Sequence, residues 1–309
     1  MPDSSAVSLC TKRKFQPGQA LRCLPDVLAP YRNGVNPCFL DCAPVPPAWR
    51  WVGSKRELAA LIADRLPADI ADYREPFAGS GAVALALLSR RRPPRRVLLA
   101  DRNAEAICCW QVVRDCPDRL ADALDRLIAM DSEALFLAIR SQRTDGMEAI
   151  DRAARFLYLV GAARCGMWRE NRRGGFNAAY QHSRRWFSRR GDLLAVSRLV
   201  QRCEFRACDF AEAMAGAGPG SVIYCDPPYM PSSPTARFDD YCAGPFGRAG
   251  QARLAEACRS AARAGAMVLA SNSDLPAVRE LYRGASFETI EHEHRTKNRQ
   301  AVREVLIRV

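Results

Sequence analysis

The sequence predicts an α/β fold: an open, Rossmann-like and mainly parallel sheet, interrupted by an inserted, mostly helical subdomain and closed by a C-terminal antiparallel hairpin. Three observations predict it. The apolar runs Val97-Leu98-Leu99-Ala100, Val222-Ile223-Tyr224-Cys225 and Met267-Val268-Leu269-Ala270 each end in polar residues, as strands buried on both faces do. A glycine turn, Phe77-Ala78-Gly79-Ser80-Gly81, separates a strand-like from a helix-like segment. Between about residues 104 and 200 strand signals are weak and helical spacing takes over.

Taken in order, residues 1–48 carry Pro2, Pro17, Pro25, Pro30, Pro37, Pro44, Pro46 and Pro47 without a sustained period, which reads as an irregular arm. Leu58, Leu61, Ile62 and Leu66 have helical spacing; a helix over 55–66 is expected, with Ser54 as N-cap and Pro67 as its stop. A strand around Tyr73, the glycine turn, a helix from Ala82 to Leu88 and a strand ending at Asp101 form the start of a parallel sheet. Ile150, Ala154, Leu157 and Gly161 mark a helix that leads into an arginine block. The sheet resumes with Phe205-Arg206-Ala207-Cys208, followed by the runs ending at Asp226 and at Ser271-Asn272. Residues 286–292 and 300–309, around Lys297-Asn298-Arg299, read as an edge hairpin. The expected division is an arm (1–48), a catalytic domain (49–110 and 201–309) and an inserted recognition subdomain (111–200). Ligands of open α/β sheets bind at the carboxyl ends of the strands, so the polar strand ends are expected to share one crevice.

Composition narrows the function classes. No apolar run approaches the ~20 residues that span a bilayer, and no export signal is read at the start, so a cytoplasmic protein without membrane partners is expected. The 13 cysteines show no paired pattern and are expected as thiols. Cys38/Cys42 and Cys108/Cys109 lack a second nearby Cys or His pair, so no metal is expected. The net charge is +12 and the pI about 9.3, almost wholly from arginine, since lysine occurs only at Lys12, Lys14, Lys55 and Lys297. Between Gly161 and Gly191 stand Arg164, Arg169, Arg172, Arg173, Arg184, Arg185, Arg189 and Arg190 against one acid, Glu170. Such a block points to a polyanion as partner. Oligomeric state is left open, with a monomer as the working expectation.

Asp226-Pro227-Pro228-Tyr229 is the most informative tetrapeptide. Two prolines hold φ near ~-65° and donate no backbone hydrogen bond, so the Pro227 carbonyl is aimed rather than averaged. A carboxylate and a carbonyl that each accept one N–H draw an exocyclic amine toward tetrahedral geometry and turn its lone pair out of the ring. Tyr229 then stacks on a base that has left the duplex. Taken alone, the same residues read equally well as a proline turn with a solvent-facing acid. The turn at Gly79 and Gly81 lets backbone approach a ligand, although the third glycine of the dinucleotide fingerprint is missing. Asp101, at the next strand end, is placed to accept hydrogen bonds from ribose hydroxyls.

Together these residues resemble the DNA adenine (N6) methyltransferases of the Dam-like, D12 class, in which the cofactor motif comes first, recognition next and Asp-Pro-Pro-Tyr last. The likeness runs from about Trp49 to the C-terminus. Trp51-Val-Gly53-Ser-Lys55, Glu75-Pro-Phe77-Ala-Gly79-Ser-Gly81, Asp101-Arg-Asn103, Cys208-Asp209-Phe210, Tyr224-Cys-Asp226-Pro-Pro-Tyr229, the spacing Phe238, Tyr241, Phe246, Gln251, Leu254, and Ser271-Asn272-Ser-Asp274 carry it. The resemblance implies a Rossmann-like methyltransferase sheet, S-adenosylmethionine as cofactor and double-stranded DNA as substrate. It implies catalysis by Asp226, Pro227, Pro228 and Tyr229, and cofactor binding by Trp51, Lys55, Phe77, Gly79, Gly81, Asp101, Asp209 and Phe210, with Asp209 on the cofactor's adenine. The segment from Gly166 to Asn177 is similar to the family's recognition hairpin, which implies DNA contacts from Arg169, base readout by Asn171, Arg172 and Arg173, and phosphate contacts from Arg184 and Arg185. GATC-specific members carry an apolar residue in place of Arg172 and an aromatic in place of Glu170, so no recognition sequence carries over.

Four other readings bear on the same residues. N4-cytosine methylation uses the same amine chemistry but more often shows serine in place of Asp226. Methylation at cytosine carbon 5 needs a thiolate, and the only Pro-Cys dipeptide, Pro37-Cys38, lies in the arm. A catalytically silent DNA-binding homologue needs neither Lys55 nor the whole tetrapeptide. A nicotinamide oxidoreductase is disfavoured by the incomplete glycine fingerprint.

Overall fold

The computed structural model describes residues 45–171, 174–183, 185–230, 246–293 and 301–309. Most of the arm, Arg172, Arg173, Arg184, Phe238, Tyr241 and Lys297-Asn298-Arg299 lie outside the described residues. In chain order the elements are α1 (Ala59–Asp64), β1 (Asp72–Glu75), α2 (Ala82–Leu88), β2 (Arg96–Asp101), α3 (Ala104–Asp115), α4 (Pro117–Ala129), α5 (Glu133–Ser141), α6 (Ala149–Ala162) and α7 (Arg190–Leu199). The second half adds β3 (Cys203–Ala207), α8 (Phe210–Met214), β4 (Ser221–Cys225), α9 (Arg248–Arg263), β5 (Met267–Ser273), α10 (Pro276–Leu281), β6 (Ser286–Glu293) and β7 (Ala301–Arg308).

Seven strands form one sheet in the order β3-β2-β1-β4-β5-β7-β6. The first five are parallel; β7 runs antiparallel between β5 and β6. From β1 the chain steps outward to β2 and β3, then crosses back to β4. Loops leaving β1 and β4 therefore part in opposite directions and open a crevice at their carboxyl ends, where a doubly wound sheet binds ligands. This is the Rossmann-like methyltransferase arrangement, with the expected C-terminal hairpin. All five residues of β4 are buried, which explains its uninterrupted apolar run.

Two local expectations are corrected. The first helix begins at Ala59 rather than Lys55, and its N-cap is Leu58 without a side-chain cap. Two turns span residues 51–54 and 55–58, with Ser54 N bonded to Trp51 O and Leu58 N to Lys55 O. That winding carries Lys55 into the crevice, and the Ser54 hydroxyl meets that of Ser80 at 2.8 Å instead of capping a helix. The strand whose apolar run ends at Ser271-Asn272 runs on to Ser273, because β7 supplies partners for Ser271, Asn272 and Ser273.

The helical region shares the core of the sheet. One continuous apolar cluster joins Tyr73, Val97 and Leu99 of the sheet to Trp110 of α3, Leu120 and Leu124 of α4, and Phe156 and Leu157 of α6. A division drawn between residues 110 and 111 passes through α3. Buried Arg155 fastens the end of α5, donating to the carbonyls of Ile139 at 3.1 Å, Arg140 at 3.3 Å and Gln142 at 3.2 Å. A second cluster fills the other sheet face beneath α8, α9 and α10. Among the described residues no helix is long and apolar enough to cross a membrane.

Candidate active site

β4 delivers Asp226 to the crevice, and the two prolines after it cannot continue the ladder. Its carboxylate, 17% exposed, lies 3.1 Å from the Lys55 ammonium, 7% exposed. Lys55 also donates to the Gly53 carbonyl at 3.0 Å and stands 3.6 Å from Glu304 Oε2. Glu304 enters from β7, opposite Ser273, and accepts the Tyr229 hydroxyl at 2.8 Å. The ammonium lies 4.7 Å from the Tyr229 ring centroid. One cation, two acids and a phenol from three separate stretches of chain thus meet in a partly dry pocket.

Burial pushes the Asp226 carboxyl up to about 6; Lys55 pulls against that shift and Glu304 adds to it. Asp226 is therefore mostly ionised at pH 7 and still basic enough to take hydrogen bonds strongly. Beneath it on β1, burial pushes Glu75 up to about 8, although Tyr73 donates to it at 2.7 Å and the Ala84 N–H at 3.1 Å. Glu75 is mostly a neutral acid at pH 7, which limits the negative charge packed around Asp226.

The tetrapeptide is clamped from β5 and α9. Gln251, 1% exposed, donates to the Pro228 carbonyl at 2.7 Å and accepts from the Asn272 amide at 3.0 Å. Asn272 Oδ1 accepts the Met230 N–H at 3.2 Å, and the Ser273 hydroxyl donates to the Met230 carbonyl at 2.8 Å. The protein thus satisfies the Pro228 carbonyl, fixing the turn that aims the carbonyl before it.

The glycine loop lies beside this cluster. Gly79 has φ +45°, and a Cβ there would come within 2.7 Å of the Trp51 indole. Gly81 has φ +63°, and a Cβ would meet Trp110 at 2.7 Å, while Trp110 Nε1 donates to the Gly79 carbonyl at 3.0 Å. Glycine is thus required twice, for backbone conformation and for ring packing. Asp101 accepts the N–H of Gly79 at 3.0 Å and of Asn103 at 2.9 Å, bracing the loop; burial raises its carboxyl despite these bonds. Phe77 and Phe210 stack at 5.5 Å, with Phe246 edge-on at 5.7 Å from Phe77. Asp209 caps α8 through the Ala211 N–H and pairs with Arg253, whose guanidinium lies 4.4 Å over Phe210. Burial is the largest influence and raises the Asp209 carboxyl, but the hydrogen bonds from Arg253 and the Ala211 N–H together with the charges of Arg253 and Arg102 outweigh it, and the net shift is downward.

On the insert, Asn171 N bonds to Gly175 O, Gly174 N to Asn171 O and Asn177 N to Arg169 O, which closes a short hairpin. Arg169 is held across it by the Asn177 side chain at 2.8 Å. Arg185 pairs with buried Asp131 at 2.6 Å. Arg189 pairs with Asp192 at 2.9 Å, and Arg190 with Asp118, Asp122 and Asp125 of α4. Three members of the arginine block therefore find acids within the chain, so self-repulsion is a weaker pointer to a polyanion than its local composition implied. The acids that pair with Arg185 and Arg190 lie more than fifty residues earlier, beyond a local charge count.

The structure thus brings together Lys55, Asp226, Tyr229 and the glycine loop, with Asp101 beneath that loop and Phe77 and Phe210 beside it. Two contributors to the site were not read from sequence. Gln251 was matched by spacing but given no role, and Glu304 carried no signal, since a single acid in a C-terminal strand reads as surface.

The family model of D12 class N6 adenine-specific DNA methyltransferases matches residues 51–298. A type II methyltransferase of Lactococcus lactis subsp. cremoris is 30% identical over 252 residues, covering 79% of this chain and 87% of that protein. A DNA adenine methylase of Vibrio cholerae serotype O1 is 33% identical over 244 residues, 78% of this chain and 86% of that one. The DNA adenine methylase of Escherichia coli K12 is 30% identical over 243 residues, 78% and 85% of the two chains. An rRNA methyltransferase structure from Streptomyces viridochromogenes covers 89% of this chain and 90% of that one at 18% identity and a TM-score of 0.34.

Proposed function

The chain belongs to the D12 class of N6 adenine-specific DNA methyltransferases, and from that premise we propose how its residues divide the work of site-specific adenine methylation. Residues 49–110 and 201–309 carry the chemistry; 111–200 recognise the target. The donor is S-adenosylmethionine, and its sulfonium supplies the electrophilic methyl group. The donor set suits it chemically: glycine backbone and the start of α2 for its methionine end, the Asp101 carboxylate for vicinal hydroxyls, and Phe77 and Phe210 with Asp209 for a purine and its amine. Trp51 and Lys55 complete the wall.

Asp226 accepts one amino hydrogen of an extruded adenine and the Pro227 carbonyl the other. The N6 lone pair then points away from the ring toward the methyl group. With the donor bound, the N–C bond would form as the donor's methyl–sulfur bond breaks and leaves a neutral thioether; the amine becomes cationic, and the Asp226 carboxylate takes the proton it sheds. Lys55 occupies one face of Tyr229, so stacking on the base uses the other, while Pro228 holds the turn. Asn171, Arg172 and Arg173 read base edges, and Arg169, Arg184 and Arg185 grip the flanking backbone.

The observation that supports this most strongly is the part-buried Asp226 carboxylate at the end of β4, 3.1 Å from Lys55 and followed by a clamped proline turn. A tritiated donor and unmethylated duplex DNA test it. The unmutated protein is expected to yield N6-methyladenine on nucleoside digestion, and Asp226→Ala to lose roughly 10³-fold in rate. Equal incorporation by the two proteins, or label in N4-methylcytosine, overturns the reading.

A further inference from the structure

Resting on the methyl-transfer reading, the geometry points to Glu304 as a positioning residue of this site: its carboxylate anchors the Tyr229 hydroxyl and shares the Lys55 ammonium with Asp226. The distances are 2.8 Å to the Tyr229 hydroxyl and 3.6 Å to Lys55, against 3.1 Å between Lys55 and Asp226. Glu304 is 8% exposed, deep for a glutamate on a strand beside the sheet edge.

Two effects follow. A tyrosine just past a proline turn loses rotamer freedom when it stacks on an extruded base; a hydroxyl anchored beforehand moves that cost from base extrusion, after the DNA has bound, to folding. In addition, a lone Lys55–Asp226 pair in low dielectric would commit the carboxylate to the ammonium, in competition with the substrate amine. The second acid divides the pull of Lys55 and leaves Asp226 with more negative potential for an N–H. The ionisable groups acting on Asp226 are Lys55, Glu304, Tyr229, Tyr224 and Glu75. Removing the Glu304 charge deletes a repulsion that raises Asp226, so the acidic limb of the rate profile moves to lower pH.

The experiment measures kcat, KM and the pH profile on unmethylated genomic DNA with a tritiated donor, for Glu304→Gln, Tyr229→Phe and the double variant, each checked by thermal unfolding. Glu304→Gln keeps the shape but loses the charge, and with it both the strong acceptor that anchors the hydroxyl and the share of Lys55; Tyr229→Phe keeps the ring and loses the anchor. Each single variant is expected to lower kcat about tenfold with both KM values within about twofold, as for an interaction used after binding. The double variant is expected to be no slower than the slower single one. The proposal fails if losses multiply in the double variant, if Tyr229→Phe retains full kcat, or if folded Glu304→Gln keeps both kcat and the acidic limb of the unmutated protein. If Glu304→Gln does not fold, Tyr229→Phe alone decides by its kcat. An unmutated protein without N6-methyladenine product overturns the parent reading; an active one with unaffected variants overturns only the role of Glu304.

Discussion

The crevice at the strand ends and the arginine-bearing flank of the helical insert are both built on ion pairs, but under opposite solvent conditions. Lys55 and Asp226 are 7% and 17% exposed and share their surroundings with Glu304. Arg190 is 39% exposed, and its partners Asp118, Asp122 and Asp125 are 72%, 58% and 57% exposed. Charges withheld from water interact strongly and shift one another's proton affinity; charges in water are screened and nearly independent. The crevice can therefore tune a carboxylate for chemistry. The flank instead holds its guanidinium groups in exposed, screened pairs that add little to stability.

The largest test of this contrast compares two glycines with positive φ. Gly79→Ala places a Cβ within 2.7 Å of Trp51 at φ +45°, whereas Gly174→Ala, on the exposed hairpin at φ +77°, meets nothing within 4 Å. Backbone strain of about 1–2 kcal/mol applies to both, and overpacking of about 1–3 kcal/mol only to Gly79. Urea unfolding is expected to place Gly79→Ala about 2–5 kcal/mol below the unmutated protein and Gly174→Ala about 1–2 kcal/mol below. Equal losses would mean that the loop relaxes and the crevice is not tightly packed.

An intermediate effect belongs to Glu75. Its folded value of about 8 lies above the 4.5 of a free glutamate, so the folded state holds the proton more tightly. Its contribution is fully present below about pH 4.5 and is lost as pH rises through about 8, at about 1.4 kcal/mol per unit between the two. Melting from pH 5 to 8.5 is expected to show this decline, and Glu75→Gln to flatten it. A slope that persists unchanged in the variant would assign it to other groups.

Smallest is Arg190→Ala. Its pairs are exposed, so the melting temperature and the salt dependence of DNA binding, about -0.9 in log-log slope per phosphate neutralised, are expected to match the unmutated protein. A marked loss in either would erase the distinction between flank and crevice.

Legibility followed the range of the interactions. The strand runs, the glycine turn and the Asp-Pro-Pro-Tyr segment are local patterns of burial and backbone restriction, so they could be read in order along the chain. The start of α1 was misplaced because the winding that carries Lys55 inward competes with an otherwise sound helical period. The arginine block looks unpaired because the acids that meet Arg185 and Arg190 lie beside Tyr158 and on α4, far back along the chain.

Residue type and short-range spacing alone determined the parallel sheet, the order of its motifs and the family they resemble, since each rests on a few consecutive side chains. Which groups share a pocket was decided only by folding. β7 slots between β5 and β6 and brings Glu304 to Tyr229, 75 residues away, and to Lys55, while α9 and β5 supply the clamp on Pro228. Such meetings depend on strand order and register, and a register shift of one residue would turn Glu304 to the opposite face of the sheet.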